Sequence, residues 1–181
     1  VHSSLIDPGS TAKDPELASG PEFVQTKDGR VFFGRFDLQA NASHRFTLRG
    51  NYTDYEGING PNRSSSNASN SNGIEGMFSR TYVFAYSGMF GDSLLNDVNA
   101  QYQLEDTPRK NRPETDEYAQ IRIGNNYYGG VSFLPIVASQ YRKSLADSFT
   151  YLAGDHVIKA GFDYNDTGMD QIFKGNWRGV Y

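Results

Sequence analysis

Long stretches of two-residue alternation, joined by connections that are short and long in strict turn, limit what this chain can fold into. From Arg30 to Asn41 one parity carries Phe32, Gly34, Phe36, Leu38 and Ala40, while the other carries Arg35, Asp37, Gln39 and Asn41. A period of two over this length marks a strand. After a break at Asn41-Ala42-Ser43, a second strand spans His44 to Glu56, with Phe46, Leu48, Gly50 and Tyr52 opposite Arg45, Thr47, Arg49, Asn51 and Thr53. Strand three runs from about Gly76 to Phe90 and turns at Gly91-Asp92-Ser93 into strand four, Leu94 to Glu105. There Val98, Ala100, Tyr102 and Leu104 alternate with Asn99, Gln101, Gln103 and Glu105. Strand five covers roughly Tyr141 to Ala153, and Gly154-Asp155 turns it into strand six, His156 to Asn165. A seventh strand is expected from around Phe173.

Two polar tracts, Gly57 to Gly73 and Asp106 to Gln140, separate these hairpins. Consecutive antiparallel strands place alternate connections at opposite ends of a sheet, so every short turn lies at one end and every long loop at the other. The fold class that follows is all-β, an antiparallel up-and-down meander of about seven long strands. Residues 1–29, punctuated by Pro8, Gly9, Pro15, Gly20, Pro21 and Gly29, read as an irregular loop, leaving 30–181 as the sheet segment. Composition agrees: the 181 residues include 12 Phe, 12 Tyr and 19 Gly, a mix that disfavours a helical bundle. With 17 basic and 21 acidic residues there is no polybasic footprint for nucleic acid, and with no Cys there is neither a disulfide framework nor thiolate chemistry. No apolar run is long enough for a membrane helix, a test that does not touch membrane strands.

A membrane strand needs roughly 9–11 residues, whereas strands of soluble sheets usually have about 5 or 6. The segments here reach the longer figure. In the four clearest strands the apolar parity carries no Asp, Glu, Lys or Arg over residues 32–40, 44–52, 94–104 and 156–164. Read as membrane strands, they turn Phe32, Phe36, Leu38, Phe46, Leu48, Val98, Ala100, Ile158 and Phe162 toward lipid. The other parity, with Arg35, Asp37, Arg45, Arg49, Asn99, Gln101, Gln103, Lys159 and Asp163, lines an aqueous interior where a solute could be met. Tyr52, Tyr102 and Tyr164 each follow their strand's first residue by eight positions, a spacing that sets three phenols at one interfacial level. Charge segregation alone also suits a soluble two-layered sandwich, so a secreted glycan-binding module stays open beside the barrel.

The stretch Gly154-Asp155-His156-Val157-Ile158-Lys159-Ala160-Gly161-Phe162-Asp163, preceded by Asp147-Ser148-Phe149-Thr150-Tyr151, resembles a hairpin of TonB-dependent outer-membrane receptors. Gly34-Arg35-Phe36-Asp37 with His44-Arg45-Phe46-Thr47-Leu48-Arg49 is similar to another hairpin of those barrels, in their large Oar-like branch. The resemblance implies a barrel of about 22 strands closed by an amino-terminal plug, of which this segment would be part of the wall, without the plug. It also implies the outer membrane as location. The partners would be membrane lipid, the remaining strands and plug, TonB through the whole protein, and a solute of unknown identity. A passive porin-type barrel is the variant without a plug.

No catalytic residues, cofactor or metal are expected. The three histidines, His2, His44 and His156, are scattered, and two open strands after short turns, where an interfacial role fits. Asp163 to Gly168 begins like a calcium loop, but Lys174 stands where the bidentate Glu belongs, so a strand-end turn is expected. Asp163 and Asp166 read as solvated rim charges. Tyr127-Tyr128-Gly129-Gly130 either packs its loop down or offers a stacking surface. The N-x-[ST] sequons at Asn41, Asn51, Asn62, Asn67 and Asn165 follow from abundant Asn and Ser and are assigned no glycan.

Overall fold

A computed structural model describes residues 3–5, 23–60, 67–68 and 70–181. His2, Asn62 and most of the expected amino-terminal loop (residues 6–22) lie outside the described residues. The strands are β1 (Ser3–Leu5), β2 (Phe23–Asn41), β3 (His44–Ile58), β4 (Gly73–Phe90), β5 (Leu94–Asn111), β6 (Gln120–Ile123), β7 (Asn126–Gly129), β8 (Ile136–Ala153) and β9 (His156–Phe173). Seven of them form one antiparallel sheet in the order β1-β2-β3-β4-β5-β8-β9, and β6 pairs with β7 in a separate hairpin. The short connections 42–43, 91–93 and 154–155 all lie at one end. Gly91 and Gly154 supply the left-handed φ, +61° at each, that lets two of them reverse so tightly.

The register carries every apolar parity onto a single face. One row of paired residues crosses six strands as Phe36, Leu48, Phe84, Ala100, Leu145 and Tyr164. Among the described residues nothing packs over this face: Phe36 is 62%, Leu48 54%, Tyr102 40% and Phe162 54% exposed. The soluble two-layered sandwich is therefore not what the chain forms. Glycines on this face lie beneath tyrosine rings, Gly88 under Tyr86 and Gly168 under Tyr141, so that rings cover backbone a side chain would otherwise shield. His44 joins them at the turn end, its Nδ1 2.9 Å from the Tyr86 hydroxyl and its ring edge-on to Phe90.

The turns step along this register. His44 lies four residues before Leu48, Leu94 six before Ala100, and His156 eight before Tyr164. That is two residues per hairpin, or one per strand. With about 3.4 Å along a strand and about 4.8 Å between strands, turns sharing one level require a tilt of about 35°, within the range of closed barrels.

Several boundaries differ from the sequence reading. β2 takes in residues 23–29, which were expected to be loop, and β5, β8 and β9 each run past their expected loop-side ends. No seventh strand begins at Phe173, which instead ends β9. The backbone then turns, with Lys174 N–H donating to Pro135 O and Asn176 at φ +56°. The seventh member of the sheet is the short β1. The sequence at 163–168 is strand interior and not a strand-end turn.

The polar loops also depart from expectation, because the described part of the first one is packed rather than solvated. Among the described residues the buried apolar ones are Ala68, Val131 and Leu134, all at the loop end, and around them Asn59, Asn67, Ser71, Asn72, Asn111, Thr115 and Gln120 are buried as well. Their side chains satisfy the backbone: Asn59 donates to Val24 O (2.7 Å), Asn111 accepts from Val131 N–H (2.8 Å), and Asn72 accepts from Gly73 N–H (3.0 Å). β7 carries Tyr127 and Tyr128 into this layer, where Ala68 N–H donates to Tyr127 O at 2.9 Å, so the tyrosine pair helps pack the loops. On the other side, Arg122 N–H donates to Tyr181 O and Tyr181 N–H to Gln120 O. The loop end is thus a small second layer built on hydrogen bonds.

Candidate functional site: the two faces of the wall

Strand periodicity puts alternate residues on opposite faces, and the register then decides which residues of different strands become neighbours. Arg35, Asp37, Arg45, Arg49, Asn99, Gln101, Gln103, Lys159 and Asp163 all fall on one face. Two of its rows read Arg35, Arg49, Val83, Gln101, Ser144, Asn165 and Asp37, Thr47, Ala85, Asn99, Ala146, Asp163. Phe32, Phe36, Leu38, Phe46, Leu48, Val98, Ala100, Ile158 and Phe162 share the opposite face with Tyr52, Tyr102 and Tyr164.

On the polar face Asp37 is a hub. Arg35 reaches it through Nε (2.6 Å) and Nη2 (2.9 Å), Arg45 through Nη2 (3.1 Å) and Thr47 through its hydroxyl (2.7 Å). Farther round, Ser87 donates to Asp97 (2.6 Å), Gln101 to Gln103 (3.3 Å), Gln140 to Glu105 (2.5 Å) and Arg142 to Asn165 (3.1 Å), while Asn165 donates to Asp163. A hollow of about 460 Å³ is bordered by Gln103, Gln140, Arg142, Thr167 and Met169 of this face, with Tyr141 and Gly168. Gln140 and Thr167 escaped the sequence reading because it placed Gln140 in a loop and ended strand six at Asn165; Arg142 lay within its strand five, but the face it joins is set by the register. Among the described residues no three His, Asp or Glu side chains converge as metal ligands would. Asp163 and Asp166, three residues apart on one strand, face opposite ways and cannot share an ion.

The apolar face has a sharp upper limit. Eight residues from the turn level its pairs are Phe32–Tyr52, Tyr82–Tyr102 and Leu145–Tyr164, and ten residues from it they are Arg30–Asp54, Arg80–Leu104 and Lys143–Asp166. Aromatic residues thus give way to charges in one step. The three tyrosines occupy three different register rows, yet the stagger brings them to one level. Eight residues tilted by about 35° climb roughly 22 Å, close to the apolar band of an outer-membrane barrel. In the second to sixth rows the face carries one charge, Asp147, and one amide, Asn96. Asn96 Nδ2 donates to Asp147 Oδ1 at 2.5 Å.

A single layer of staggered strands, greasy on one side over a membrane's height and polar on the other, with its short turns at one end, is the wall of a membrane-spanning β-barrel. The chain belongs to the outer membrane beta barrel domain family, whose family model matches residues 8–181. That places it in the outer membrane. A search of curated proteins finds no match.

Proposed function

We propose that this chain is a wall segment of a TonB-dependent outer-membrane receptor that takes up a solute, with the polar face turned to the barrel interior and the apolar face to lipid. The observation that carries the orientation is the step from tyrosine to charge at one level, on the apolar face alone. Three tyrosines near one interface, two of them paired with another aromatic residue, are what a bilayer selects, since an amphipathic phenol is favoured there and a charge within the hydrocarbon is not. The receptor reading rests on the hairpin at 154–163. Its turn glycine has the left-handed φ, His156 stands at the turn level, and Lys159 and Asp163 share the polar face. In that reading the packed loops and a plug capture the solute, and TonB supplies the work that moves the plug. No step of chemistry falls to these residues; they wet the interior and hold the wall.

The full-length protein reconstituted in planar bilayers, together with the purified periplasmic domain of TonB as probe, tests this. A receptor binds that domain and conducts little while its plug is seated. Steady ion conductance without TonB binding would make the barrel a passive pore and overturn the receptor reading.

A further inference from the structure

The polar face of β2 and β3 holds more positive charge than its one nearby carboxylate can answer. Arg35 and Arg49 are direct cross-strand partners. Like charges so placed repel. Arg35 relieves the repulsion by turning its fork onto Asp37, with Nε on Oδ2 and Nη2 on Oδ1. Arg45 and Thr47 also donate to Oδ1. Three of these four donors converge on Oδ1 and one reaches Oδ2, so the single carboxylate already answers two guanidinium groups. Arg49 is not among its donors. Its neighbour across β4 is Val83, flanked on the same face by Thr81 and Ala85, and no acidic group among the described residues pairs with it. Elsewhere the face is balanced: Glu75, Asp97, Glu105 and Asp163 stand against Lys27, Arg109, Arg142 and Lys159. The excess is therefore local. It also lies at membrane depth, since Arg49 is the fifth residue from His44 and the tyrosine level is the eighth. Low-dielectric walls concentrate the field of such a charge in the interior.

We infer that Arg49, together with Arg35 and Arg45, forms a binding site for the oxyanion group of a solute, a carboxylate, phosphate or sulfate, inside the barrel. A guanidinium presents paired donors at the spacing of two such oxygens. An anion lodged there removes the Arg35–Arg49 repulsion as it binds. Asp37 is a positioning residue that holds Arg35 and Arg45 in place from behind. This inference rests on the proposed interior orientation of the polar face, so the test separates the two.

Citrate and sulfate are titrated calorimetrically into the full-length protein in detergent micelles. Arg49→Gln is expected to weaken citrate binding about ten-fold or more, the equivalent of losing one charge-assisted pair. Arg49→Lys, which keeps the charge and loses the fork, should fall between Arg49→Gln and the native protein, and this ordering excludes general unfolding as the cause. Native-like citrate binding by Arg49→Gln, or no binding of citrate or sulfate by the native protein, would overturn the site. In parallel, Arg49→Cys and Leu48→Cys are treated in lipid vesicles with a water-soluble charged thiol reagent. Labelling of Cys at 49 but not at 48 supports the orientation; the reverse sinks the orientation itself. Labelling at 49 with citrate affinity unchanged in Arg49→Gln sinks the anion site alone.

Discussion

Asp147 stands where lipid tails are expected, between rows of Val98 and Phe162, and its relief comes from Asn96 on the neighbouring strand. A charge inside the membrane is tolerated when a polar partner answers it, and hydrogen bonds to charged groups are worth about 1.5–3 kcal/mol. Asn96→Ala is expected to destabilise the barrel by about that amount with Asp147 present, and by almost nothing once Asp147 is Leu. Urea unfolding in lipid vesicles measures the cycle. Asn59 has a comparable role at the other end. It holds φ +63° while its side chain donates to Val24 O and accepts from Arg112 at 2.5 Å. Asn59→Ala gives up the bonds and strains the backbone, so a loss of about 2–3 kcal/mol is expected, confined to the loop layer. Hydrogen exchange should show the amides of 67–73 and 111–131 opening while those of 44–52 stay protected.

At the scale of the strand, the tyrosine level divides each element into two halves with different physics. In the proposed orientation, lipid imposes one apolar parity below it. Above it both faces meet water and the alternation has no reason to persist. Leu48→Arg, in the fourth row, is expected to cost about 2–4 kcal/mol, and Leu104→Arg, in the tenth, about 0–1 kcal/mol. Equilibrium unfolding in vesicles distinguishes them, and equal costs would remove the boundary from between the eighth and tenth rows. The same division explains what could be read from the residues. The turn-side halves were legible, down to the turns themselves and both faces. The loop-side halves were legible only in part: β3 and β4 were read to within a few residues of their ends, whereas the loop-side ends of β2, β5, β8 and β9 were missed, where Arg30 breaks the parity and Pro108, which lacks an N–H for a ladder, sits inside β5. The second layer was hidden for another reason. Its core is built from Asn, Ser, Thr and Gln whose side chains bond mainly to backbone groups, and hydrophobic periodicity carries no trace of such packing. The proposed oxyanion site was half visible, since all three arginines stood on one parity, but the opposition of Arg35 and Arg49 and the convergence of Arg35, Arg45 and Thr47 on Asp37 needed the register.

For the molecule as a whole, six long strands make an open sheet. Among the described residues β9 has no neighbour on its outer side, and the outer edge of β2 pairs with β1 through Phe23–Gln25 alone, leaving most of that edge unpaired. Unpaired edges beside an exposed apolar face predict that residues 1–181 expressed alone sediment as aggregate without detergent. A soluble, cooperatively melting monomer in the ultracentrifuge would contradict that expectation. What the wall does depends on which face meets lipid. These 181 residues contain no Cys, so, with any cysteine elsewhere in the full-length protein replaced by Ser, a spin label can be placed singly at each position from 94 to 104 in bilayers. Collision rates with oxygen, which concentrates in lipid, should peak at Val98, Ala100 and Tyr102, and those with a water-soluble nickel chelate at Asn99, Gln101 and Gln103. Rates that fail to alternate, or that alternate in the opposite phase, would contradict the account.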